Sequence, residues 1–112
     1  MAQKEWRGRE RTLIYRTLIL TGLRRGELES ITVGHVRLDA DRAHLELLAG
    51  DSKSGRGALI PLRDDLAGDI ADWLEEKLSR LEDEARSEGR SIPSRLPFNE
   101  PLFYVPSGLI SI

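Results

Sequence analysis

Between Val36 and Leu62 the chain reads VRLDADRAHLELLAGDSKSGRGALIPL, and its apolar residues there recur with a period of two. Val36 and Leu38 alternate with polar neighbours, Asp39-Ala40-Asp41-Arg42 has the composition of a turn, and His44-Leu45-Glu46-Leu47 alternates again. Gly50 to Gly57 is rich in Gly and Ser and reads as a second turn, after which Ala58-Leu59-Ile60-Pro61-Leu62 gives a third extended run. Pro61 marks an edge or an end, because proline brings no N–H to a ladder. Three short strands joined by tight turns predict a small antiparallel sheet.

On both sides of this stretch the period changes to that of a helix. Upstream, Leu13, Ile14, Thr17, Leu18 and Leu20 recur at helical spacing from about Arg9, and Thr21-Gly22 breaks the pattern. Gly22 suits the left-handed conformation that closes a helix. A second, short helix is expected from Arg24 or Arg25 to Ile31, with Glu27 in its first turn. Downstream, Asp64 or Asp65 can cap a long helix to about Ser87, whose stripe is Leu66, Ile70, Trp73, Leu74, Leu78, Leu81 and Ala85. Gly89 to Pro101 is loop-like, and Leu102-Phe103-Tyr104-Val105 is a short strand or a buried turn. The expected fold class is α+β: two N-terminal helices, a small three-stranded antiparallel sheet, then a long amphipathic helix, as one domain over residues 1–112.

The 112 residues suffice for one core, and 39% hydrophobic with 32% charged residues fits a globular, non-membrane class. No apolar run approaches the roughly 20 residues a bilayer span needs, and the polar start lacks a signal-peptide core. Cysteine is absent, which excludes disulfides and thiolate metal sites and agrees with a reducing, cytoplasmic location. The net charge of −2 counts against nucleic acid as a partner. The charge is uneven, though: residues 1–63 carry 12 Lys and Arg against 8 Asp and Glu, and residues 64–112 carry 5 against 11. A solvated acidic helix face and a basic binding face both fit that asymmetry.

Two stretches carry chemistry. Thr21-Gly22-Leu23-Arg24-Arg25-Gly26-Glu27-Leu28 sets arginines at a helix–turn–helix junction, where a guanidinium fork can hold a phosphodiester oxygen. Taken alone, Arg24 and Arg25 could equally be solvated residues of a helix start. Asp51-Ser52-Lys53-Ser54-Gly55-Arg56-Gly57 sets a lysine on the turn between two strands, from which an ammonium can project into a groove. Taken alone, Lys53 reads as an ordinary turn residue.

Together these stretches resemble the tyrosine recombinase and phage integrase family. Thr21 to Leu28 matches the family box T-G-L-R-x-[SG]-E-L, a hairpin follows over Val36 to Leu47, and Lys53 to Leu62 matches a K-[ST]-G-x-x-x-x-[IV]-P-L segment. The resemblance covers about residues 10–105, the N-terminal portion of the family's catalytic domain. It implies DNA breakage and rejoining through a 3′-phosphotyrosyl intermediate, with no metal, no cofactor and no small-molecule substrate. The implied partners are double-stranded DNA and further recombinase protomers in a synaptic complex. Arg24 corresponds to the arginine that holds a non-bridging oxygen of the scissile phosphate, and Lys53 to the lysine that acts as general acid toward the 5′ oxygen. Glu27 matches the acidic position and is assigned a supporting role. Arg25 and Arg56 have no fixed role: they are weak DNA-contact candidates, expected to be solvent-exposed.

The match also stops short. The family continues with an H-x-x-R box and a tyrosine nucleophile. His35 and His44 are followed three residues later by Leu38 and Leu47, so neither opens that box. Tyr15 lies inside the first helix, and Tyr104, expected to pack with Leu102 and Phe103, precedes the place where the box would fall. The chain alone is therefore expected to be inactive. Other readings are a helix-turn-helix regulator over residues 10–31, an interaction module built on the acidic helix 64–87, and a degenerate recombinase that only binds DNA or protein. A phosphate-binding loop at Gly50 and Gly55 is rejected, since Arg56 and Gly57 stand where it needs Lys and Ser or Thr.

Overall fold

The computed structural model describes residues 3–39 and 41–106, with side chains from residue 8 onward. Its order is α1 (Gln3–Thr21), α2 (Arg25–Glu29), β1 (Val36–Arg37), β2 (His44–Leu47), β3 (Ala58–Pro61) and α3 (Asp64–Ser87). The fold is α+β, with one antiparallel sheet in the order β1-β2-β3.

Strand alternation sets the sheet's inner face. Leu45 and Leu47 of β2 are buried while His44 and Glu46 are only half-covered. Leu45 faces Val36 on one side and Ile60 on the other, so the register keeps the apolar set together. Pro61 ends the edge strand β3, and the pairing closes with the Leu62 N–H donating to the Ala43 carbonyl at 2.9 Å. The expected Asp39–Arg42 turn includes Ala40, which lies outside the described residues; Asp39, Asp41 and Arg42 on either side of it are bends.

Helix α1 begins earlier than its apolar pattern, at Gln3 rather than Arg9, because Trp6 is the only large apolar residue of its first turns and one residue makes no periodic signal. It buries Leu13, Ile14, Thr17 and Leu18, and the Thr17 hydroxyl is satisfied by the Leu13 carbonyl at 2.7 Å. Gly22, at φ +75°, ends it, with its N–H on the Leu18 carbonyl at 3.0 Å. Helix α2 is shorter than expected and stops at Glu29, where the Ser30 hydroxyl takes up the Glu27 carbonyl at 2.6 Å. The residue capping α3 is Arg63, not an aspartate. Asp64 and Asp65 occupy the first turn, where Asp65 accepts the Leu66 N–H at 2.9 Å.

Leu66, Ile70 and Trp73 of α3 pack on Leu13, Ile14 and Leu18 of α1 and on the sheet. Burial of each such side chain stabilises the fold by roughly 1.5–3 kcal/mol before entropy is subtracted. Ion pairs Arg9–Glu76, Arg16–Asp69 and Arg16–Asp65 also join the two helices. Rising numbers in α1 meet falling numbers in α3, so the helices run antiparallel.

The segment after α3 returns along residues 31–34 instead of forming a separate strand. Leu102 N–H donates to the Ile31 carbonyl, Val33 N–H to Glu100 and Gly34 N–H to Phe98, at 3.0, 2.8 and 2.9 Å. Leu102 and Phe103 are buried, whereas Tyr104, expected beside them, is exposed. At Gly34, a 3₁₀ turn (Val33–His35) that the sequence reading did not anticipate, a Cβ would overlap the ring of Phe98. Gly34→Ala is expected to push that exposed ring aside and lose its edge contact with His35, whose centroid lies 5.6 Å away. The predicted cost is about 1 kcal/mol, seen in calorimetry as a melting temperature about 4–8 °C lower. An unchanged melting temperature would mean the ring contributes nothing.

Candidate functional site

The break after α1 alternates inside and outside. Leu23 is buried as an anchor, and Arg24 follows in extended conformation at φ −78°, ψ 154°, with its side chain exposed. The Glu27 carboxylate reaches back, and its Oε1 accepts the Arg24 N–H at 3.1 Å, half of a capping box. The other oxygen, Oε2, accepts the N–H of Lys53 at 3.0 Å, from a residue 26 positions away. One carboxylate thus joins the start of α2 to the β2–β3 connection and sets the main chains of Arg24 and Lys53 side by side. Both side chains are exposed, and neither is in an ion pair among the described residues.

The connection that carries Lys53 is not a tight turn. It contains a 3₁₀ turn over Ala49–Asp51 and a left-handed Gly55 at φ +77°. The Gly55 N–H donates to the Ser52 carbonyl at 3.1 Å, and the Ser52 and Ser54 hydroxyls stand 3.0 Å apart. Arg56 is exposed as expected; Arg25 is only half-exposed and is already engaged within the fold.

The Glu27 carboxyl is held below its ordinary value of 4.5, chiefly by the Lys53 N–H, then by the Arg24 N–H, with smaller help from the Arg24 charge and the Ser52 hydroxyl, against the effect of burial. A depressed carboxyl stabilises the fold above its unfolded value, and that contribution is lost as pH falls through the folded value. Protection of the Lys53 amide relative to its intrinsic exchange rate is therefore expected at neutral pH and should be lost on acidification below 4.5, through the lowered folded value. In Glu27→Gln that acid dependence should flatten. Persistent acid-sensitive protection in the Gln variant would refute the clamp.

The other residues singled out by sequence have structural partners. His35 Nδ1 pairs with the Thr32 hydroxyl at 3.0 Å and His44 Nδ1 with the Arg42 carbonyl at 2.9 Å. Tyr15 is half-buried in α1. The Tyr104 hydroxyl donates to Glu100 at 2.6 Å, and this bond, with burial and the nearby carboxylates, pushes its pKa up to about 12. At neutral pH it is protonated and serves Glu100 as a hydrogen-bond donor.

Sequence reasoning missed a second polar cluster. Lys77 is buried on the apolar stripe of α3, 3.5 Å from Glu100 and 4.8 Å beneath the Tyr104 ring. Glu10, also buried, accepts the Tyr104 N–H at 2.9 Å. The only signal was spacing: position 77 follows Trp73 by four and belongs to the stripe.

No family model, curated protein or solved structure matches the chain. No helix among the described residues is long and apolar enough to cross a membrane.

Proposed function

We propose that Arg24 and Lys53 are the paired cations of a phosphate-binding site for duplex DNA in a tyrosine-recombinase-like domain. The observation that supports this most is the Glu27 carboxylate, which holds the N–H groups of both residues and leaves both side chains exposed. In this reading Arg24 grips a non-bridging oxygen and stabilises developing charge, and Lys53 protonates the departing 5′ oxygen. Arg56, two residues beyond Ser54 on the same loop, is a supplementary phosphate contact. The strand-breaking step needs an H-x-x-R box, which these 112 residues do not contain, and a nucleophilic tyrosine, a place that neither Tyr15 nor Tyr104 matches. The chain alone binds DNA without cutting it, in the cytoplasm, and recombination requires those groups and further protomers.

A helix-turn-helix regulator fits less well, because α2 has five residues, too short to read a groove. Binding of a fluorescent duplex across a salt series tests the proposal. Arg24→Ala and Lys53→Ala should each weaken binding about tenfold at low salt and make the salt slope shallower by about 1. Binding equal to wild type in both variants would end this reading, and a covalent adduct on a nicked substrate would end the non-cutting part of it.

A further inference from the structure

We propose that Ser52 is a positioning residue of this site, whose hydroxyl fixes the loop conformation that presents Lys53. The inference rests on the reading of Arg24 and Lys53 as phosphate ligands. From Leu48 to Leu59 every residue is exposed except Ser52, which is half-buried. A small hydroxyl side chain, not an apolar anchor, is thus what the connection turns inward, and hydrogen bonds must hold its shape.

Ser52 is held through all three of its polar groups. Its N–H donates to the Ala49 carbonyl at 3.3 Å and its carbonyl accepts the Gly55 N–H at 3.1 Å. Its hydroxyl lies 3.0 Å from the Ser54 hydroxyl, which accepts the Arg56 N–H at 3.3 Å. Either hydroxyl can donate to the other, and each keeps a lone pair free for a further N–H. Ser54 uses one of its lone pairs for the Arg56 N–H. The Arg56 N–H on Ser54 and the Ser54–Ser52 pair tie the loop together, and Lys53 sits between the two hydroxyls with its own N–H on Glu27. A loop ordered before binding spares the cost of ordering it on the phosphate.

The test is a double-mutant cycle in duplex binding with the full chain. Ser52→Ala should weaken binding roughly threefold to tenfold, the worth of one hydrogen bond, while melting stays close to wild type. Ser52→Thr, which keeps the hydroxyl, should restore binding. The double variant S52A/K53A should bind no worse than K53A alone, because Ser52 acts through Lys53. Additive losses, or wild-type binding by S52A while R24A and K53A are weakened, would overturn the role of Ser52 and leave the parent reading standing. Wild-type binding by R24A and K53A, or no duplex binding by the parent chain at low salt, would remove both.

Discussion

Trp73→Ala is expected to lose about 3–5 kcal/mol of folding free energy, a large part of the roughly 5–15 kcal/mol that holds a domain together. Trp73 is 1% exposed, and its indole ties three parts of the molecule. The ring packs in the α1–α3 core and lies 5.9 Å from Phe103, tilted by 46°. Its Nε1–H donates to the Leu102 carbonyl at 2.9 Å. Truncation opens a cavity and leaves that carbonyl without its donor, so the returning C-terminal segment loosens along with the core. Trp73→Phe separates the two effects: most packing stays, the hydrogen bond goes, and a loss of about 1–3 kcal/mol is expected. Urea unfolding should order the midpoints wild type, Phe, Ala with little change in slope. A Trp73→Ala midpoint as high as that of Trp73→Phe would mean that the indole packs against nothing that matters.

Trp73 was legible in the sequence, and so was most of the scaffold, for reasons that separate it from what was hidden. Leu45 and Leu47 alternate with His44 and Glu46, and the strand forms with that alternation. Gly22 has the left-handed backbone that its place after an apolar helix suggested. These are local matters, decided by neighbours within a turn or a pleat. The early start of α1 is hidden because a lone Trp6 among polar residues and Gly8 leaves no periodic mark. The long connection around Lys53 was read as a tight turn because Gly and Ser are common to both.

At the site, residue types were legible and partnerships were not. The acidic character of position 27 was evident, yet its second partner lies 26 residues downstream and only the fold brings it there. The uneven charge also has an internal explanation. Arg9 and Arg16 from the basic half meet Glu76, Asp65 and Asp69 from the acidic half across the α1–α3 interface. The asymmetry is therefore partly consumed within the molecule, and the case for nucleic acid rests on the few cations around Glu27, not on the overall field. Such exposed pairs are worth little individually, ~0–1 kcal/mol, so they orient the helices more than they stabilise them.

Lys77→Met is expected to be nearly as damaging as the loss of Trp73, through charge instead of volume. The Lys77 ammonium is buried between Glu100 and the Tyr104 ring, with Glu10 close enough for its charge to be felt. Burial lowers the Lys77 pKa from 10.5, against the pull of Glu100 and Glu10, and burial raises that of Glu10 from 4.5, against the Tyr104 N–H, Lys77 and Arg80. For Glu10 the sign is that of a raised carboxyl: the fold is favoured at low pH and loses stability as pH rises through the folded value. For Lys77, stability falls as pH drops from 10.5 through its own lowered value. The attraction of Lys77 for Glu100 and Glu10 offsets part of what burial costs each charged form. Methionine keeps the apolar stem and removes that offset, so Glu100 loses its ion-pair partner and buried Glu10 keeps only the smaller pull of Arg80, a loss of about 3–5 kcal/mol by analogy with other broken buried pairs. Its pKa climbs further, which makes the deficit of Lys77→Met larger at about pH 8 than at about pH 5 in urea unfolding. Adding Glu10→Gln should recover much of it, since an amide still accepts the Tyr104 N–H without a charge to desolvate. A deficit independent of pH and untouched by Glu10→Gln would mean that the two side chains are neighbours without being coupled.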